Sequence, residues 1–123
     1  METNKPNCSC RQNGAIVLAC SGASDVGQIS DLTARKLRDC GIFKMSCLAL
    51  VGAGVEASIE NFKKADVLVI DGCPVDCGKK IMERNGIKNY KYLRLSDIGL
   101  AKGSSPANVE NIDIAFSKAL DYQ

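Results

Sequence analysis

Cysteine supplies most of the chemistry open to this chain. There are 7 cysteines among 123 residues and no histidine, so a soft metal would rest on thiolates and a serine nucleophile would lack its usual base. Two of them lie in IDGCPVDCGKK, Ile70–Lys80, where an apolar run stops at Asp71-Gly72 and Cys73 and Cys77 follow with Pro74 between them. Such a pair holds a metal, reacts as a thiol pair, or packs as two small residues at a helix start. Pro74 suits the first turn of a helix, where its missing N–H costs nothing. Cys73 then sits at or just before the cap, with Val75, Ile81 and Met82 facing inward and Asn85-Gly86 ending the helix. On that helix Cys77 is one turn beyond Cys73, and residues four apart have Cβ atoms about 5–6 Å apart, close enough to share one ion.

The elements that would position these thiols are readable from hydrophobic pattern. GAIVLAC, Gly14–Cys20, is a short apolar run expected of a strand covered on both faces, and VLVID at Val67–Asp71 is the strongest central-strand signal. FKMSC, Phe43–Cys47, alternates at Lys44 and Ser46 and reads as a strand nearer an edge, and YKYLRL, Tyr90–Leu95, places Tyr90, Tyr92 and Arg94 opposite Lys91, Leu93 and Leu95. Between the first two strands, Ser24 can start a helix that Gly41 ends, with Ile29, Leu32, Ala34, Leu37 and Cys40 on its inner side. A glycine-containing turn and a short helix over Glu56–Lys64 precede the third strand. A last helix begins near Pro106–Val109 and carries Val109, Ile112, Ala115, Phe116, Ala119 and Leu120 as its apolar stripe, after the loop LSDIGLAKGSS.

Strands alternating with crossover helices predict a small three-layer, doubly wound α/β domain with a mostly parallel sheet of four or five strands, in the order 2-1-3-4. That domain would span residues 14–123, behind a polar tail over 1–13. In a parallel sheet Cys20, Cys47 and Cys73 fall at the same carboxyl edge, where α/β proteins bind ligands. With Cys77 they make four thiolates that suit a tetrahedral zinc ion. An iron–sulfur cluster is the weaker alternative, because the cysteines lack the dense spacing of ferredoxin motifs. Taken singly, Cys20 and Cys47 suit a core as well as a site. Cys8 and Cys10 in the tail fit another metal site, a lid over the rim, or no defined role.

CSGASDVGQISDLTARKL from Cys20 and IDGCPVDCGKK from Ile70 together resemble the DGC-domain family of proposed zinc-binding proteins, whose short pattern is carried here by Asp71-Gly72-Cys73. The resemblance runs from Ala15 through the final helix, about nine tenths of the chain. It implies a four-cysteine zinc site for which Cys20, Cys47, Cys73 and Cys77 are the matching residues. It implies no particular reaction or protein partner.

Composition narrows the remaining classes. The chain is 46% hydrophobic and 24% charged, with 16 basic against 14 acidic residues, too small an excess to predict nucleic-acid binding. No apolar stretch approaches the length that crosses a bilayer, and an odd cysteine count without an export signal predicts a cytoplasmic protein with reduced thiols. The leading expectation is zinc binding for sensing, delivery or stabilisation. A thiol–disulfide protein using Cys73 and Cys77 stands second, and a small-anion module built on CSGASDVGQ third. Gly22, Gly27, Gly72 and Gly78 are expected to allow close approaches near the site. Asp71 is placed to receive hydrogen bonds beside it, whereas Asp25 and Asp76 suit early helix positions.

Overall fold

The computed structural model describes residues 15–123; the expected tail over 1–13, with Cys8 and Cys10, lies outside the described residues. In chain order the elements are β1 (Ile16–Ala19), α1 (Asp25–Asp39), β2 (Lys44–Ser46), α2 (Leu48–Gly52), α3 (Glu56–Lys64), β3 (Val67–Asp71), α4 (Cys77–Arg84), β4 (Tyr90–Arg94) and α5 (Val109–Ala119). A 3-10 turn at Leu95–Ile98 interrupts the loop that was expected after β4, and another follows α5. The four strands form one sheet in the order β2-β1-β3-β4, and every pairing is parallel. The expected three-layer α/β architecture and strand order are those of the protein.

Alternation along each strand divides the core in two. Val17, Ala19, Leu68, Ile70 and Leu93 face a cluster built with Val26, Ile29 and Leu37 of α1 and Ala115 and Ala119 of α5. Ile16, Leu18, Val67 and Val69 face the opposite cluster, closed by Val51, Ile59, Phe62 and Met82 from α2, α3 and α4. Burying each large aliphatic or aromatic side chain contributes about 1.5–3 kcal/mol, so β1 and β3, buried along their whole lengths, are the most strongly fixed strands. β2 is short and lies at an edge with Lys44 exposed. The chain leaves β1 toward β2 on one side and returns to β3 on the other. The carboxyl ends of β1 and β3 therefore flank the crevice where the direction of winding reverses.

Three local readings are corrected. The segment after Cys47 forms α2 instead of a simple turn, because Leu48 and Val51 are buried one helical turn apart. The helix after β3 begins at Cys77, and Cys73–Asp76 is a turn closed by the Asp76 N–H on the Cys73 carbonyl at 3.2 Å; Val75 is exposed accordingly. Val109 is also exposed, because the Asn108 side chain caps α5 and leaves Val109 in its first turn, away from the sheet.

Two close backbone approaches bring the helices down onto the sheet ends. A Cβ on Gly72 would lie 2.8 Å from the backbone carbonyl of Val26, and one on Gly27 would lie 2.8 Å from the Gly22 oxygen. At the start of α1, Ser24 accepts the Gly27 N–H at 3.0 Å, while Asp25 accepts N–H groups from Gly103 at 3.0 Å and Ser105 at 3.1 Å. Those bonds tie the loop before α5 to the carboxyl edge, and the Gly103 N–H is the chief reason the Asp25 carboxyl lies below the usual range.

Replacing Gly72 by Ala should lower stability by about 1–3 kcal/mol, the usual cost of forcing extra volume into a packed contact. Gly52→Ala, whose Cβ would sit an ordinary 3.8 Å from Ile81, should cost nothing; urea denaturation of both variants checks the contrast. Because the folded Asp25 pKa is depressed, its contribution is complete above the unfolded value near 4 and is lost as pH falls through the lower folded value. Asp25→Asn should therefore be destabilising at pH 7, with the difference from the parent shrinking below about pH 4 in thermal melts.

Candidate thiol site at the carboxyl edge of the sheet

Cys20 follows β1 and extends its pairing, its N–H donating to the Ile70 carbonyl at 2.9 Å. Its half-buried sulfur receives the backbone N–H groups of Gly22 and Gly72, which favour a thiolate, but burial dominates and pushes the thiol up, with the Asp71 and Cys77 charges adding to the rise. A nearby cation would offset that penalty. Cys47 occupies the cap position before α2 and Cys77 the first position of α4. Both are exposed.

These three thiols line one open cavity of about 630 Å³, floored by Met45, Leu48 and Ile81 and flanked by Arg35 and Arg38 of α1. Arg35 is held by Asp31 at 2.8 Å, and Asp31 also accepts from Ser21 at 3.0 Å. Cys73 is placed elsewhere: it does not line that cavity, but is half-buried and packs against the core cluster built with α1 and α5. The shared helix face expected for Cys73 and Cys77 is absent, because a turn separates them. Among the described residues no three Cys, Asp, Glu or His side chains stand close enough to hold one ion. The residues as they stand thus gather three thiols around one space without closing a tetrahedral shell.

Beside the cavity, Asp71 is 1% exposed and its carboxylate accepts the N–H groups of Gly78 at 2.8 Å and Lys79 at 3.0 Å. The Tyr92 hydroxyl donates to Asp71 at 2.6 Å and reaches Asp76 at 3.0 Å. Arg94 grips Asp76 with two bonds of 2.7 Å. Arg94 holds the Asp76 carboxyl below its usual range, while burial and then Asp71 push the Tyr92 hydroxyl far above its own. Asp76 has φ 62°, the only positive value at a non-glycine residue among those described, a conformation that costs about 1–2 kcal/mol. A Cβ on Gly78 would meet the Asp71 carboxylate at 2.6 Å, so this glycine is required by the contact. The glycine expectation holds at Gly27, Gly72 and Gly78, while a Cβ on Gly22 would make only an ordinary contact 3.7 Å from the Cys20 sulfur.

The DGC domain matches residues 16–119. The chain belongs to the DGC-domain family. It is also 35% identical over 88 residues to the "anaerobic and virulence modulator AnvM" of Pseudomonas aeruginosa PAO1, an alignment covering 71% of this chain and 67% of that protein. No solved structure gives a significant match. In this DGC domain the tripeptide has a separate physical task at each position: Asp71 receives the first N–H groups of α4, Gly72 lets β3 meet α1, and Cys73 packs into the core.

The sequence pattern pointed to Asp71 as an acceptor and missed Tyr92 and Arg94. Alternation put both on one face of β4, but their meeting with the Cys73–Asp76 turn depends on the register that pairs Asp71 with Arg94. Arg35 and Arg38 border the cavity from α1 without belonging to the inner side expected for that helix. The anion reading of CSGASDVGQ meets an obstacle: the Val26 and Gly27 N–H groups already donate to Asp25 and Ser24, and the Asp25 charge opposes a second anion there.

In the metal-free, reduced DGC domain, iodoacetamide should modify Cys47 and Cys77 several-fold faster than Cys20, because thiolate fraction and access both limit the reaction. Peptide mapping of a time course checks the order, and Cys20 reacting first would contradict it.

Proposed function

We propose that the protein is a zinc-binding protein in which Cys20, Cys47 and Cys77 supply thiolates from the cavity at the carboxyl edge of the sheet and Cys73 supplies the fourth. The observation that carries this reading is that three thiols from three separate segments line one cavity, and they have to draw closer to share an ion. Cys73 belongs to the same β3–α4 connection as Cys77, and it has to leave its packing against the core to join the ion. Zinc suits a set of thiolates without imidazole; an iron–sulfur cluster remains the lesser alternative.

The two apolar clusters close both faces of the sheet without help from an ion. Two of the thiols are exposed. An accessible, exchangeable ion therefore fits sensing or delivery better than structural stabilisation, and a regulatory role accords with the relative's description as a modulator. A reducing cytoplasm suits such thiols, and among the described residues no helix is long and apolar enough to cross a membrane. A thiol–disulfide role is the second reading, favoured by the position of Cys77 at the exposed start of α4 on a cavity shared with Cys20 and Cys47.

The test is metal analysis of the full chain, purified under reducing conditions without a chelating tag, for the parent and single serine variants. About one zinc per chain is expected, the fourfold thiolate stoichiometry of a structural-type site, with marked loss in Cys20→Ser, Cys47→Ser and Cys77→Ser. Loss in Cys73→Ser establishes the fourth ligand, whereas full retention leaves a three-thiolate site. Unchanged binding in two of the four variants overturns the ligand set, and bound iron with sulfide replaces zinc by a cluster. A metal-free parent that takes up no zinc but loses the mass of two hydrogen atoms on mild oxidation supports the thiol–disulfide reading.

A further inference from the structure

The cavity lined by the three thiols also carries charge and apolar surface that a bare ion would not use. Of its charged lining side chains, two are guanidinium groups, Arg35 and Arg38, and one is a carboxylate, Asp31. Their spacing of four and then three residues sets them along one side of α1. Arg35 meets Asp31 through Nε alone, at 2.8 Å, and its two terminal nitrogens make no hydrogen bond among the described residues. The Ser21 hydroxyl donates to the other Asp31 oxygen at 3.0 Å, which ties this stripe to the end of β1. Arg38 is paired with Asp39, which does not line the cavity. The lining therefore has a surplus of positive charge beside an apolar floor of Met45, Leu48 and Ile81. Its volume of about 630 Å³ falls within the range of roughly 300–1,000 Å³ typical of small-molecule pockets.

Strand alternation separates the thiols in this space. Met45 packs against the cluster built with α1, whereas Leu48 belongs to the opposite cluster. Cys47 keeps an extended backbone, with φ -101° and ψ 121°, so it falls on the Met45 side, the side of α1 and its arginines. Cys77 opens α4, which closes the opposite cluster through Met82. Cys47 is thus the exposed thiol that shares a face of the sheet with Arg35 and Arg38.

We propose that the cavity receives a low-molecular-weight disulfide bearing carboxylates, which Arg35 and Arg38 orient while Cys47 exchanges with its sulfur. The inference rests on the thiol–disulfide reading above and names its substrate class; no metal ion takes part. Cys47 gives its proton to water, and its thiolate attacks one sulfur of the disulfide. The new bond joins Cys47 Sγ to that sulfur as the sulfur–sulfur bond of the small molecule breaks, and the departing thiolate takes a proton from water. Cys47 is oxidised to a mixed disulfide and half of the small molecule is reduced to a thiol, so no other oxidant is needed. A guanidinium binds a carboxylate through two parallel hydrogen bonds, and the terminal nitrogens of Arg35 supply the donors for that pairing.

The experiment uses the reduced full chain, stripped of metal with a chelator, and three small disulfides: 3,3′-dithiodipropionate, which is anionic, bis(2-hydroxyethyl) disulfide, which is neutral, and cystamine, which is cationic. Intact mass and peptide mapping follow adduct formation. Each rate is divided by that of N-acetylcysteinamide with the same reagent, which removes the reagents' own reactivities. Cys47 should react about 10-fold faster with the anion than with the neutral disulfide, the low end of electrostatic attraction into a charged cleft, and slowest with the cation. Raising the ionic strength should shrink that advantage. Arg35→Gln and Arg38→Gln should each lower the ratio of anionic to neutral rate several-fold. Lys88→Gln, which removes an equal charge from the exposed segment before β4, should leave the ratio unchanged. Equal normalised rates for anion and neutral reagent, a preference that survives both arginine variants, or a preference that maps to Cys77 instead of Cys47 would each overturn the proposal. Loss of two hydrogen atoms without an adduct keeps the thiol–disulfide reading and defeats this inference, whereas a chain in which no thiol reacts with any of the reagents defeats that reading as well. Should Arg35→Gln fail to fold, Arg38→Gln and the salt dependence decide.

Discussion

The buried carboxylate of Asp71 has to be satisfied before the carboxyl edge of this protein can exist. At 1% exposure an unpaired carboxylate would carry a desolvation penalty of several kcal/mol, and here two backbone N–H groups and a tyrosine hydroxyl meet it. Those partners come from α4 and β4, so one side chain on β3 dictates where a helix begins and which face of the next strand turns inward. Gly78 follows from the same constraint, because any larger residue would collide with the carboxylate.

The sheet supplies the rigid frame for that interaction. β1 and β3 are adjacent, parallel and buried on both faces, and their crossovers leave from opposite sides. A crevice therefore opens at their carboxyl ends as a matter of topology. At that carboxyl edge Cys20 lines the cavity from the end of β1, Cys47 from the end of the short edge strand, and Cys77 from the helix that Asp71 caps. The site owes its position to strand order and its detail to hydrogen bonds made by the strand ends.

The cysteines divide by the same physics. Cys20, Cys47 and Cys77 share a cavity, while Cys73 packs with the α1 and α5 cluster. The parting of Cys73 from Cys77 traces to the turn between them, whose Asp76 takes a left-handed conformation unusual for a residue other than glycine. Proline at position 74 allows a helix start but does not require one there. Where α4 begins was settled by the N–H acceptors available, and those lie on Asp71.

Much of the architecture was legible along the chain because it depends on local pattern. The apolar run Val67–Ile70, the alternation of Tyr90–Leu95 and the Ser24 cap each bias one element by burial or by a single hydrogen bond, and short crossovers with fixed handedness then leave little choice of topology. Sequence alone thus determined the α/β class, the parallel sheet, its order and the placement of Cys20 and Cys47 at one edge. Tertiary structure decided the start of α4, the burial of Cys73 against the core, and the meeting of Tyr92 and Arg94 with Asp71 and Asp76. Each of these depends on the register between β3 and β4 and on which N–H groups one buried carboxylate can reach, distances across the fold that no local pattern encodes.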